Sequence, residues 1–313
     1  MAINPMRTPA GVERFSSDSC KADTGFSATT IAYLWTKYNA WNGSAAGSFG
    51  AQLASGPKSL DERAFHFYCV FVLIHKHPQK NWKSQFRSKD GVYSLSDWGR
   101  YKHVYPLAHA FAAIIDEVDR ARRLDRHNHG VPPFEYLVTG LVDMFPFYVP
   151  QPHRWAMARL LYQPKYKATV FKYQLGITWN GEIILFTGPH LGTTSDKTIW
   201  DITWAQHPFY DWEIWLGDLG YVGADGILVK YKRDGGRALT PREVWFNNVH
   251  EHERNRAEQI VSAVKAHRMF KHGVFRGSSK IMDSLVKITG HTTAYEIRQR
   301  PRFPTYGPWD HVY

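Results

Sequence analysis

The pair Asn180-Gly181, set between the runs "KATVFKYQLGITW" and "EIILFTG", constrains this chain more than any other feature. Both runs are rich in β-branched and aromatic residues. Asn-Gly between such runs is the strongest short-range hairpin signal, because it supplies the two positive φ angles of a type I′ turn. The other elements must be arranged around that hairpin. Upstream, "FEYLVTGLVDMF" reads as a strand ending at Asp143. Downstream, "TSDKTIWDITWAQ" reads as a helix, and "EIWLGD" and "GILVKY" as short strands. Thr240, Pro241 and Glu243 then follow as N-cap, first-turn proline and capping-box glutamate, which predicts a long helix reaching about Phe270.

A strand with an acid, a hairpin, a helix, a second strand with an acid and a late helix is the order of an RNase H-like domain. The predicted fold class is therefore α/β, a mixed sheet with flanking helices. A small all-helical region precedes it. There, Ser59 and Glu62 have capping-box spacing before "LDERAFHFYCVFVLIHKH", and Pro106 precedes "LAHAFAAIIDEVDRARRLDR", which reads as one long amphipathic helix. An earlier helix, "TTIAYLWTKYNAW", lies in a Gly- and Ser-containing arm. The predicted division is an arm at 1–57, a helix-turn-helix-like domain at 58–130, the RNase H-like domain at 131–290 and a tail at 291–313. In a helix-turn-helix reading Arg100 and Lys102 touch DNA, whereas in a plain helical bundle they are solvated charges.

The formal net charge of +11 favours nucleic acid as the partner class, because Lys and Arg that replace counterions on a phosphate backbone release them. Charge alone serves solubility equally well. The most apolar stretch, "FHFYCVFVLI", is too short to span a bilayer, so no membrane association is expected. The chain opens without the apolar core of a signal peptide. Its two cysteines, Cys20 and Cys69, have no zinc-like spacing and suit a reducing compartment.

Asp143 and Asp218 each close an apolar run, where an ionised carboxylate is costly unless paired or bound to metal. On the late helix His250, Arg254 and Glu258 recur every fourth residue, and Glu258, Val261 and Lys265 continue the stripe. Three hard oxygen donors suit Mg²⁺ or Mn²⁺. Two such ions about 4 Å apart drive in-line phosphodiester displacement without a side-chain general base, and Arg254 and Lys265 are then placed to hold backbone phosphates. Each acid also has a plain structural reading: Asp218 as a turn former, Asp143 as a strand-end cap, Glu258 as half of a helix pair with Arg254.

From Asp143 to Phe270 the chain resembles the DDE nuclease domain of Harbinger-type transposases and the nucleases derived from them. The matching words are Asp143 after an apolar strand, "GPHLGTTSDKTIW", "LGDLGYVG" and "FNNVHEHERNRAEQIVSAVK". The upstream "WGRYKHVYPLAHAFAAIIDEV" is similar to that family's helix-turn-helix region. The resemblance implies metal-dependent cleavage of DNA at transposon ends by a protein that is nuclear, or cytoplasmic until a partner imports it, with Mg²⁺ or Mn²⁺ as cofactor and often a separate Myb-like DNA-binding partner. It makes Asp143, Asp218 and Glu258 the core acids with Asp196 as a fourth, and it adds His250 to the DNA-contacting set of Arg254 and Lys265. A homo-oligomer, a domesticated DNA-binding adaptor without activity, and an RNA-directed nuclease stay open at this level.

Overall fold

The computed structural model describes residues 21–42 (except 23), 60–76, 103–124 and 138–303 (except 208, 234, 236, 272, 274 and 276). Ser59, Arg100 and Lys102 lie outside the described residues. Along the chain come α1 (Ala28–Asn42), α2 (Leu60–Lys76), α3 (Tyr105–Ile114), β1 (Val138–Tyr148), α4 (Trp155–Leu161), β2 (Tyr162–Gln163) and β3 (Ala168–Ile177). They are followed by β4 (Ile183–Leu191), α5 (Asp196–Gln206), β5 (Ile214–Leu216), β6 (Ile227–Leu228), α6 (Pro241–Val264) and α7 (Ser279–Gln299). Among the described residues no helix is long and apolar enough to cross a membrane. The chain divides into two compact units, residues 1–117 with 265–292, and residues 118–264 with 293–313.

The first unit is helical, and aromatic rings fill its core. Phe67 of α2 meets Trp35 of α1 at 5.3 Å and Phe111 of α3 at 4.9 Å between ring centroids. Histidines are buried here as well. His66 stacks on His103, and the Nδ1 atoms of His75 and His267 lie 3.2 Å apart. The run read as one long helix from Leu107 breaks instead. α3 ends at Ile114, Ile115 is extended (ψ 122°), and the chain resumes as a 3₁₀ turn at Arg120–Leu124. Tertiary bonds take over from helical ones at the break. Glu117 accepts from Lys37 Nζ at 2.6 Å, its own N–H donates to His291 Nδ1 at 3.0 Å, and the N–H of Asp116 donates to the Tyr38 hydroxyl at 3.2 Å.

The second unit holds a six-stranded mixed sheet in which β3, β1, β5 and β6 are neighbours in that order, and β2 and β4 both pair with β3. β1–β3 and β3–β4 are antiparallel, while β1–β5 and β5–β6 are parallel. With its flanking helices this is the expected RNase H-like arrangement. On one side of the sheet Trp200 of α5 packs with Trp215, Tyr221, Val142 and Leu185, all fully or almost fully buried. At the start of β5, the buried Glu213 accepts from Arg123 Nε and Nη2 at 2.7 and 2.8 Å, from Thr139 Oγ1 at 3.2 Å and from the N–H of Tyr210 at 2.9 Å. One carboxylate thus ties together the starts of β1 and β5.

Four local expectations change. β1 does not stop at Asp143 but runs on to Tyr148, because its pairing with β3 continues through Tyr148↔Val170. Asp143 therefore sits within a strand rather than at its end. The hairpin forms, yet of its central pair only Gly181 has a positive φ (88°), so the turn is not type I′. Instead Gly181 N–H donates to Thr178 O at 3.0 Å and Thr178 N–H to Glu182 O at 2.9 Å, closing a three-residue loop over Trp179, Asn180 and Gly181. Trp179 is 2 % exposed and its Nε1 donates to Val138 O at 2.9 Å, and that burial dictates the longer loop. The late helix starts as expected, with Glu243 N–H on Thr240 Oγ1 at 3.2 Å and Thr240 N–H on Glu243 Oε2 at 2.7 Å, but it ends at Val264. The short helix α4, between β1 and β3, has no counterpart in the sequence reading.

Candidate active site

The parallel register pairs Leu141 of β1 with Leu216 of β5, so Asp143 within β1 and Asp218 just past the end of β5, each two residues further on, come level. Asp196 joins them from the first turn of α5, whose N-cap Ser195 accepts from Thr198 N–H at 3.0 Å. All three acids line one cavity, together with Lys172, Tyr166 and Gln163. A Cβ on Gly220 would lie 2.7 Å from Asp196 Oδ2 and 2.9 Å from Asp218 Oδ1. The two carboxylates thus crowd the Gly220 side-chain position, and a side chain there would push them aside.

Each acid is held by a specific donor. Asp143 Oδ1 accepts from the N–H of Met144 at 2.8 Å, and Asp218 Oδ1 from the N–H of Gly220 at 2.8 Å. Asp218 therefore caps the 3₁₀ turn Leu219–Tyr221 and also lines the cavity. Lys172, 6 % exposed on β3, reaches Asp196 Oδ1 at 2.8 Å and the carbonyl of Thr194 at 2.8 Å. Burial raises the Asp143 carboxyl to about 6 against the pull of Arg254 and the Met144 N–H, with the charges of Asp218 and Glu258 adding to the rise. Burial, with the charges of Asp196, Asp143 and Asp218, pushes Tyr166 up to about 12 and Tyr221 well above the usual phenol range, so both hydroxyls stay neutral.

From α6, Arg254 reaches across to the sheet. Its Nη2 donates to Glu258 Oε1 at 2.6 Å and stands 3.8 Å from Asp143 Oδ2, while its buried Nη1 has no hydrogen-bond partner among the described residues. Glu258 is the most open of the four acids, its side chain 55 % exposed. His250 is fully buried, and its Nε2 lies 3.2 Å from Leu228 O, which ties α6 to β6. Lys265 falls one residue beyond the helix, in the other unit.

Among the described residues no three Asp, Glu, His or Cys side chains stand together as a ready-made metal cage. Asp196 is paired with Lys172 and Glu258 with Arg254. The donor set nevertheless fits Mg²⁺ or Mn²⁺, being hard oxygens from Asp143, Asp196 and Asp218 around one cavity.

Lys172 and the N–H groups of Met144 and Gly220 escaped the sequence reading. The backbone donors have no side-chain signature. Lys172 did leave one, as a lone cation inside the buried strand "ATVFKYQLGI".

Residues 142–290 match the family described as DDE superfamily endonuclease. No curated protein and no solved structure matches the chain.

Proposed function

We propose that the region with this DDE endonuclease likeness makes the chain a metal-dependent DNA endonuclease of the Harbinger transposase type, with Asp143, Asp218 and Glu258 as core acids and Asp196 as a fourth. The observation that carries the reading is the convergence of Asp143, Asp196 and Asp218 on one cavity, with Arg254 set between Asp143 and Glu258.

Bound by these carboxylates, a pair of Mg²⁺ or Mn²⁺ ions supplies activation of the attacking water or 3′-hydroxyl and stabilisation of the leaving oxygen. The chain's own contribution is orientation and charge. The N–H groups of Met144 and Gly220 fix which oxygens of Asp143 and Asp218 face the cavity. Lys172 holds Asp196 in place, so that acid supports the site from its rim. Arg254, whose Nη2 stands 3.8 Å from Asp143 Oδ2, is the side chain proposed to hold a non-bridging phosphate oxygen. Lys265, Arg100 and Lys102 are proposed to add phosphate contacts that position the duplex without reading its sequence. A Myb-like partner and a nuclear site of action go with this reading.

The test is cleavage of supercoiled and terminal-repeat DNA in Mg²⁺ or Mn²⁺ by the full chain, beside Asp218→Ala and Glu258→Ala. Nicking by the wild type that falls to background in both variants supports the proposal; equal nicking by all three ends it. The exposed Glu258, paired with Arg254, favours one rival, a DNA-binding adaptor that keeps the fold without cutting. That rival predicts salt-dependent DNA affinity indifferent to Asp143→Ala and to divalent metal.

A further inference from the structure

Between Asp143 and Glu182 the chain contains no acidic residue. Within that stretch α4 and the turn from β2 to β3 expose Arg154, Arg159, Lys165 and Lys167. The same surface exposes aromatic rings, with Trp155 71 % and Tyr162 44 % accessible. The guanidinium of Arg159 lies 4.6 Å from the centre of the Trp155 ring. Arg159, Trp155 and Tyr162 line an open groove of about 400 Å³ that also takes in Pro164 and Thr193, with Lys165 on the adjoining acid cavity. Lys167, in the turn from β2 to β3, holds a left-handed backbone (φ 50°).

The groove adjoins the acid cavity. Tyr162 and Pro164 line the groove, while Gln163, Lys165 and Tyr166, interleaved with them in the chain, line the cavity of Asp143, Asp196 and Asp218. Cations alone would suit any phosphate backbone. Exposed aromatic faces add something only for bases that are not already stacked and paired, and cations interleaved with aromatic platforms are how proteins hold single strands. A second copy of this chain is a poor occupant, because a two-fold contact would set the same cations against one another.

We propose that this groove binds an unpaired stretch of the DNA substrate, with a base on Trp155 or Tyr162 and the flanking phosphates on Arg159, Lys165 and Lys167, and so leads one strand to the acids. The inference rests on DNA being the substrate, and its test separates the two ideas.

Binding of the full chain in EDTA is measured by fluorescence anisotropy on a blunt duplex and on the same duplex carrying a short single-stranded thymidine tail. The tail should tighten binding by the wild type, and Trp155→Ala should remove that gain, about 10-fold, while leaving blunt-duplex affinity unchanged. Trp155→Phe should keep most of the gain, which separates stacking from a folding defect. The pair Arg159→Gln with Lys167→Gln should weaken both probes and flatten the salt dependence. If the tail adds nothing, if Trp155→Ala weakens both probes alike, or if it only changes the oligomeric state, the groove does not bind single strands. If the wild type binds neither probe, the DNA reading itself falls with it.

Discussion

Replacing Glu213 by Gln should unfold the second unit far more readily than an isosteric change at most positions. The carboxylate is fully buried and accepts from two nitrogens of Arg123, from Thr139 and from the backbone of Tyr210. Gln keeps the shape but turns an NH₂ toward the guanidinium, losing an acceptor and depriving the Arg123 cation, 6 % exposed, of the Glu213 charge. Breaking one side of such a pair costs about 3 to 5 kcal/mol. Arg123 retains the carbonyl of Arg120 at 2.9 Å and the face of Phe209, which places the expected loss near the lower end, about 3 kcal/mol. With a urea m-value of about 2 kcal/mol/M, the midpoint should fall by about 1.5 M. The buried cluster of Trp200 and Trp215 provides the fluorescence signal. Glu213→Leu combined with Arg123→Met removes both charges and should cost less than Glu213→Gln alone. A midpoint loss under about 0.5 M for Glu213→Gln, or a double variant as damaged as the sum of the singles, would refute the argument.

Gly220→Ala should lower Mn²⁺ affinity at least about 10-fold, because the new methyl would press on Asp196 and Asp218, and unchanged affinity by titration calorimetry would sink that reading. Lys172→Met should lower the metal-free melting temperature yet enlarge the upward shift that Mn²⁺ produces, since Asp196 loses the counter-charge of Lys172; a smaller shift than in the wild type would contradict it. The first unit should be acid-labile. Burial lowers His66 and His291 to about 4 and His267 to about 3. Because these folded-state values lie below the unfolded value, the neutral rings support folding above about pH 6.5, and that support is lost as pH falls toward the folded values, by about 2 kcal/mol per histidine at about pH 5. Urea midpoints that agree between about pH 7.5 and about pH 5 would exclude this.

What could be read from the sequence was carried by short-range chemistry. The capping box at Thr240 and Glu243 and the apolar runs either side of Asn180-Gly181 act within a few residues, and each reappears in the fold. Asp143, Asp196 and Asp218 do face one cavity, so three of the four anticipated acids share a place. What escaped reading acts across the chain. Arg123 meets Glu213 and Lys172 meets Asp196 only once the sheet has formed, and the halt of α3 depends on Tyr38, Lys37 and His291 from distant helices. The turn type failed for the same reason. Asn180-Gly181 has the local chemistry of a two-residue turn, but burying Trp179 outweighs it.

Surface hairpin loops are the customary places to insert a tag, open a circular permutation or join a fusion partner, because little is packed against them. The loop over Trp179, Asn180 and Gly181 is the reverse of such a place. Trp179 holds the first residue of β1 through its indole and accepts from Arg256 of α6 at 3.0 Å through its carbonyl, while Gly181 has no room for a Cβ against Phe303. An insertion there would loosen the strand that carries Asp143 and the helix that carries Arg254 and Glu258 at once. Anyone building reporters or truncations from this chain should leave residues 178–182 intact and look instead to exposed stretches such as the one before Thr240.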